Sequence, residues 1–233
     1  MNKAIIAFDA DDTLWDNEGY FLETEHLFCE LLEDFAPKHT ISRELLTTEI
    51  ANLKLYGYGI KGFMLSMVET AIRVTDGKIP ARAINRIIEL GQELLQKPVV
   101  LIPGVEEVLE LLKRDFRIVV ATKGDLLDQH RKLHLSGLGP YFHHIEIMTE
   151  KKEEDYKKLI NRLEIAPANF VMIGNSLKSD ALPVLEIGGR AIHVPYHTTW
   201  EHEKIGFEIN HQNFRSVQNI REVPAKISEM LGS

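Results

Sequence analysis

A chain of 233 residues is long enough for one sizeable core and a smaller second domain. Its 44% hydrophobic content is that of a soluble globular protein, no apolar run approaches the roughly 18 residues that span a bilayer, and no basic segment followed by a long apolar stretch opens the chain. A formal net charge of -8 disfavours non-specific nucleic-acid binding, and a single cysteine, Cys29, excludes an intrachain disulfide and fits a reducing cytoplasm.

The run Ala4 to Phe8 is short, partly β-branched and uncharged, so it reads as a buried strand. It ends in Asp9-Ala10-Asp11-Asp12-Thr13-Leu14. A buried parallel strand delivers such carboxylates to the carboxyl edge of its sheet, where open α/β sheets place their active sites. Two carboxylates that close repel unless a cation or a proton intervenes, so the pair suggests a magnesium site, a nucleophile with an acid/base partner, or both. Acidic residues after a strand also cap helices and line turns. The full string and its place on the first strand set it apart from ordinary capping.

Residues 17–96 read as helical throughout. Asn17 suits the N-cap of a helix carrying Phe21, Leu27, Phe28, Leu31, Leu32 and Phe35, with Pro37 ending it. Ser42 suits the cap of a second helix, with Leu45, Leu46, Ile50 and Leu53 along one side. After Tyr56-Gly57-Tyr58-Gly59, a third helix carries Phe63, Met64, Met67, Val68, Ala71 and Ile72 and closes at Asp76-Gly77. Pro80 suits the start of a fourth, with Ile84, Ile87, Ile88, Leu90 and Leu94. Four helices with no strand between them form a separate helical module.

From Pro98 strands and helices alternate. Pro103-Gly104 opens a helix, Ile118–Ala121 is a strand, Leu126–Leu135 a helix, Ile145–Met148 a strand and Glu153–Leu163 a helix. Phe170–Ile173 is the next strand, then a Leu177–Ile187 helix and an Ala191–Val194 strand. Alternation of this kind indicates a doubly wound α/β parallel sheet with right-handed crossovers. The first strand joins that sheet, so the helical module is an insertion. The expected domains are a core of residues 1–16 and 97–233 and a cap of residues 17–96, with hinges near Asp16 and Lys97.

Four strands end in suggestive residues: Asp9, Asp11 and Thr13; Thr122, Lys123, Gly124 and Asp125; Thr149, Glu150, Lys151 and Lys152; and Gly174, Asn175, Ser176 and, further on, Asp180. Each alone is compatible with turn chemistry. In one parallel sheet all four face the same edge. A phosphate needs a cation, hydroxyl or amide donors and a lysine. A carboxylate can attack phosphorus, and a second carboxylate can move the proton of the leaving alkoxide and of water.

On these residues the chain resembles the haloacid dehalogenase-like (HAD) hydrolase superfamily, in the branch with a helical cap after the first motif. The resemblance covers roughly residues 3–195. Its first motif is Asp9-Ala10-Asp11-Asp12-Thr13-Leu14, its second Thr122, its third a lysine placed at Lys151 with Lys152 adjacent, and its fourth Gly174-Asn175-Ser176-Leu177-Lys178-Ser179-Asp180. The resemblance implies a Rossmann-like core with a smaller all-helical cap. It implies Asp9 as nucleophile and Mg2+ ligand, and Asp11 as general acid/base with its carbonyl on the metal. It implies Thr122 and Lys151, with Lys123 beside them, as phosphoryl ligands, and Asp180 as a metal ligand. Where the family often has aspartate, this chain has Asn175, which implies a weaker or water-mediated contact; Ser176 and Asp180 are retained. True dehalogenases resemble the fold but lack the carboxylate of Asp11, because halide leaves without a proton.

The expected activity is therefore a Mg2+-dependent phosphatase of a small phosphorylated metabolite, cytoplasmic, monomeric or homodimeric, without nucleic-acid or membrane partners. A phosphomutase of a sugar phosphate and a non-catalytic binding protein on the same scaffold are the alternatives. A phospho-accepting receiver domain would be about half this length and would lack the helical insertion. The loop at Tyr56-Gly57-Tyr58-Gly59-Ile60-Lys61-Gly62 either presents Tyr58 and Lys61 to a substrate or serves as a helix–helix turn needing positive φ at glycine. Lys54 and Lys61 read as solvated lysines rather than Schiff-base formers. The ten histidines lack zinc spacing, and Cys29 reads as packing.

Overall fold

The computed structural model describes residues 4–232. Among them, six strands form one parallel sheet in the order β3-β2-β1-β4-β5-β6. They are β1 (Ile5–Phe8), β2 (Arg117–Lys123), β3 (His144–Met148), β4 (Phe170–Gly174), β5 (Arg190–His193) and β6 (Phe214–Ser216). This is the doubly wound α/β architecture. The central strand β1 is flanked by β2 and β4, with Phe8 aligned to Val120 on one side and Ile173 on the other. The order reverses beside β1, which makes its carboxyl end the topological switch point where such sheets bind ligands.

Every residue of β1 is buried because helices cover both faces. Ile6, Phe8, Ile118, Val120, Val171 and Ile173 pack on one face with α5 (Val105–Leu112) and α9 (Val223–Leu231). Ile5, Ala7, Val119, Ala121, Phe170 and Met172 pack on the other with Tyr156, Leu159 and Ile160 of α7 (Glu153–Arg162). The alternation along each strand is the two-residue period of β structure.

The described residues divide into two compact units. The first comprises those of Met1–Glu18, Val99–Lys123 and His130–Ser233; the second comprises Gly19–Pro98 and Gly124–Gln129. The chain leaves and re-enters the first unit through paired stems. Trp15 bridges Leu101, the Asp16 amide donates to the Val100 carbonyl at 3.0 Å, and the Ile102 amide donates to Leu14 at 3.0 Å.

The second unit is built on α1 (Glu18–Leu31), α2 (Lys38–Tyr56), α3 (Ile60–Val74) and α4 (Ala81–Leu95). Its core joins Phe28, Cys29, Ile41, Leu45, Phe63, Met67, Ala71, Ile87, Leu90 and Leu94. Gly91 lets α4 approach α3, since a Cβ there would lie 2.7 Å from the Met64 Sδ. Several sequence expectations differ here. Helix α1 stops at Leu31, and Leu27 and Phe35 are exposed, as are Ile50, Ile72 and Ile88. Helix α2 starts at Lys38 behind Pro37, so Ser42 is already inside it and donates to Glu25 Oε1 at 2.5 Å. Asn17 does not cap α1. The Asp12 carboxylate, five residues upstream, accepts from the Asn17 amide at 2.9 Å and the Glu18 amide at 3.1 Å. No described helix is long and apolar enough to cross a membrane.

Half-buried Glu49 of α2 carries a testable consequence. Burial, reinforced by the nearby Glu25 charge, pushes its carboxyl from 4.5 to about 8. A raised acid pKa in the folded state stabilises below the unfolded value and is lost as pH rises. The window here runs from 4.5 to about 8. Glu49→Gln removes this dependence and gains on the order of 2 kcal/mol over the native chain between pH 5 and pH 8, a value discounted for partial solvation. Urea denaturation of both proteins at the two pH values measures it; an unchanged difference contradicts it.

Candidate active site

The first unit gathers its chemistry at the carboxyl edge of the sheet. The Asp9 amide donates to the Ile173 carbonyl at 2.8 Å, continuing the β1–β4 ladder by one residue and fixing where the Asp9 side chain begins. Beyond it the Ala10 carbonyl accepts from Thr13 at 3.2 Å and Leu14 at 2.8 Å, turning the chain back on itself. Asp12 takes φ of 60° in this turn, a conformation Asp tolerates better than most residues. Burial, with the charge of Asp11 next, pushes its carboxyl up to about 7.

Lys151, on the segment between β3 and α7, is the centre of the site. Its side chain is 2% exposed, and its ammonium lies 2.5 Å from Asp9 Oδ1 and 2.6 Å from Asp180 Oδ1. Burial alone would lower its pKa, but the Asp180 and Asp9 charges outweigh that and hold it well above its usual value. Burial raises the Asp9 carboxyl to about 7; Lys151 pulls it down and Asp180 pushes it up. Lys152, by contrast, is exposed and lies at the N-cap of α7.

Asp180 is aimed by its own loop. The Ser176 amide donates to Asp180 Oδ2 at 3.0 Å, and the Asp180 amide donates back to the Ser176 carbonyl at 2.8 Å. The expected continuous helix over Leu177–Ile187 is instead a π-helical turn, Leu177–Ala181, followed by α8 (Leu182–Glu186). The Ser176 hydroxyl accepts from the Ser179 amide at 3.0 Å, and Pro183 supplies no amide for a regular ladder. A Cβ on Gly174 would lie 2.1 Å from Asp180 Oδ2. Gly174→Ala therefore displaces Asp180, with an expected loss of about 1–3 kcal/mol of stability and about 100-fold in kcat. Wild-type values in denaturation and in steady-state kinetics would contradict this.

The other sequence-chosen residues fall as follows. Thr13 Oγ1 accepts from the Asn175 amide at 3.1 Å and sits 3.2 Å from Asp9 Oδ2, tying the β1 and β4 loops together. The Asn175 carbonyl accepts from His193 Nε2 at 3.0 Å, a structural bond for a histidine whose pKa burial lowers. Thr122, at the end of β2, has a buried hydroxyl with no hydrogen-bond partner among the described residues. Such a group is satisfied by water or by a ligand oxygen. Asp11 Oδ1 accepts from Trp15 Nε1 at 2.7 Å and from Lys132 Nζ at 2.6 Å. Lys123 Nζ pairs with Glu203 Oε1 at 2.5 Å. In the second unit, the loop between α2 and α3 has positive φ at Gly57 and Gly59, and Lys61 pairs with Asp125 at 3.0 Å.

Sequence reasoning missed Lys132, which also donates to Asn17 Oδ1 at 3.1 Å, and Glu203. Glu203 lies between β5 and β6, outside the four strand ends singled out from the sequence. Its Oε2 accepts from Ser176 Oγ and Ser179 Oγ, both at 2.5 Å. Burial works against ionisation, yet the Lys123 charge and these bonds hold its carboxyl down at about 2.

Among the described residues no three His, Cys, Asp or Glu side chains are grouped to hold a metal ion. A hard divalent cation does not require that. Mg2+ is held by one or two carboxylates, with carbonyls, waters and substrate phosphate completing its oxygen shell. The donors at this edge, the buried carboxylates of Asp9 and Asp180, are oxygen ligands of the kind such an ion takes.

Comparison with known proteins agrees with this architecture. The family model described as haloacid dehalogenase-like hydrolase matches residues 3–188. A haloacid dehalogenase-like family hydrolase from Xanthomonas campestris superposes with a TM-score of 0.89 at 38% identity, covering 98% of this chain and 91% of that one. A 2-haloacid dehalogenase from Pseudomonas syringae shares the fold, with a TM-score of 0.65 at 17% identity, 97% of this chain and 99% of that one being covered. The N-acylneuraminate-9-phosphatase of Mus musculus is 25% identical over 200 residues, 80% of this chain and 79% of its own. That of Rattus norvegicus is 23% identical over 241 residues, 97% of this chain and 94% of its own. Since the family match spans well over half of the residues, this chain belongs to the haloacid dehalogenase-like hydrolases.

Proposed function

We propose that this protein is a Mg2+-dependent phosphatase that hydrolyses a small phosphorylated metabolite through a phosphorylated Asp9. The observation that carries the reading is the buried Lys151 ammonium between Asp9 and Asp180, at the same sheet edge as the unpartnered Thr122 hydroxyl.

Asp9, Asp180 and the Asp11 carbonyl would hold the cation, which supplies positive charge that keeps both carboxylates ionised and offsets the phosphate's own. An Asp9 carboxylate oxygen attacks phosphorus, forming the Oδ–P bond as the P–O bond to the leaving alcohol breaks. Asp11 gives its proton to the departing oxygen. Its Oδ1 accepts from Trp15 and Lys132, which hold the side chain in place. Water then attacks the phosphorus, the Oδ–P bond breaks, and Asp11 recovers a proton from the water. Asp9 is regenerated and inorganic phosphate leaves. Thr122 donates to a phosphoryl oxygen, and the Lys151 charge stabilises the equatorial oxygens in the transition state.

A carboxylate at position 11 favours an ester over a halide, because only an alkoxide needs a proton to leave. Because relatives are named N-acylneuraminate-9-phosphatases, a phosphorylated sugar acid is the first compound to try in a substrate panel. Nucleoside monophosphates, sugar phosphates and phosphoglycolate complete it. Free phosphate released with Mg2+ and lost on chelation supports the reading. An isomeric phosphate ester as product would make it a mutase, and no reaction across the panel would refute hydrolysis.

A further inference from the structure

The side chain of Glu203 reaches the site from outside every motif used above. It ends a 3-10 turn, Glu201–Glu203, between β5 and β6. Both of its oxygens are committed: Oε1 to Lys123 at 2.5 Å, Oε2 to the Ser176 and Ser179 hydroxyls at 2.5 Å each. Lys123 also donates to Ser179 Oγ at 3.0 Å, so carboxylate, ammonium and hydroxyl close a ring. Two further bonds bind the same pieces: Lys178 Nζ donates to the His202 carbonyl at 2.7 Å and the Tyr156 hydroxyl to the Ser179 carbonyl at 3.0 Å.

We infer that Glu203 is a positioning residue for the phosphoryl site, acting through Ser176 and Lys123. The Ser176 amide holds Asp180 Oδ2, so fixing the Ser176 side chain fixes the direction of the Asp180 carboxylate. Lys123 follows Thr122 directly on β2, so anchoring its ammonium holds the strand end that presents the Thr122 hydroxyl. One carboxylate thus sets two arms of the site, one on β2 and one beyond β4. With its oxygens filled by three donors, Glu203 is not itself a cation ligand. Its committed charge also neutralises Lys123, leaving Lys151 as the lysine that meets the phosphoryl group. This inference rests on the phosphatase reading for its kinetic arm only.

The test uses the full chain carrying Glu203→Ala, Glu203→Gln, Ser179→Ala, and Glu203→Ala with Ser179→Ala. Mn2+ binding to each, followed by electron paramagnetic resonance, reads the Asp9–Asp180 pair without turnover. Glu203→Ala is expected to weaken Mn2+ binding about 10-fold and to lower kcat about 30- to 100-fold, with KM within about threefold. Glu203→Gln, which keeps the shape but not the charge, recovers only part of kcat. Ser179→Ala adds less than about twofold to the loss already present in Glu203→Ala, because both act through one network. Glu203→Ala with Mn2+ affinity and kcat within about twofold of wild type overturns the inference. So does a loss that disappears when rates are normalised to the folded fraction. If wild type hydrolyses no ester, the phosphatase reading fails separately, and the Mn2+ measurement alone decides the role of Glu203.

Discussion

Asp9→Asn lowers kcat for phosphate-ester hydrolysis by at least about 10⁴-fold while the protein stays folded. Asparagine has the same shape as aspartate and can still accept from Thr13, which sits 3.2 Å from Asp9 Oδ2. It cannot form the acyl phosphate. The fold is expected to tolerate the change because the native carboxyl is buried and already pushed up to about 7, so its charge is held at a cost. Lys151 keeps Asp180 as its partner at 2.6 Å. Circular dichroism and thermal melting would check the fold, and phosphate release the activity. A variant retaining a tenth of wild-type kcat would remove Asp9 from the chemistry.

Lys151→Met is expected to damage both activity and stability, and to do so in a pH-dependent way. The substitution keeps the apolar stem but leaves two buried carboxylates facing each other with no charge between them. Removing one partner of a buried ion pair costs about 3–5 kcal/mol when the remaining groups are ionised. The cost falls when a proton takes the place of the ammonium. In the variant the Asp9 carboxyl loses the ammonium that pulls it down, so its folded-state pKa rises further above the unfolded 3.8, and stability is kept at low pH and lost as pH rises. The destabilisation should therefore be larger at pH 8 than at pH 5, and kcat should fall at least about 10³-fold. Denaturation midpoints at the two pH values test the first half. Equal losses at both, or near-normal turnover, would contradict the assignment of Lys151 as the central cation.

How legible the site was depends on whether its partners are neighbours in the chain. Asp9, Asp11 and Thr13 lie within one short turn after a four-residue apolar strand, so residue type and spacing display them together. Four of the outer strands could also be read from apolar runs. Strand β6, only three residues long and half-exposed, has no such run. Lys151 could be placed next to Lys152 but not distinguished from it by pattern; burial between two carboxylates sets it apart. Glu203 was invisible because Glu201 and Glu203 look alike in sequence, and only the folded β5–β6 segment brings one of them under Ser176. Capping failed for a related reason. The rule looks to residues next to a helix start, whereas α1 is capped by Asp12 from a left-handed turn. Exposed Leu27, Phe35 and Ile72 show the limit of periodicity, which finds an apolar face but not how much of it is covered.

The central claim is covalent and can be read directly. Wild-type protein turning over its best ester with Mg2+ is quenched in acid, digested and examined by mass spectrometry. The account predicts one phosphoryl group on the peptide containing Asp9, localised to that side chain, absent without Mg2+ and absent in Asp9→Asn. Steady phosphate release with no phosphoryl group at position 9, or with the group on another residue, would contradict it.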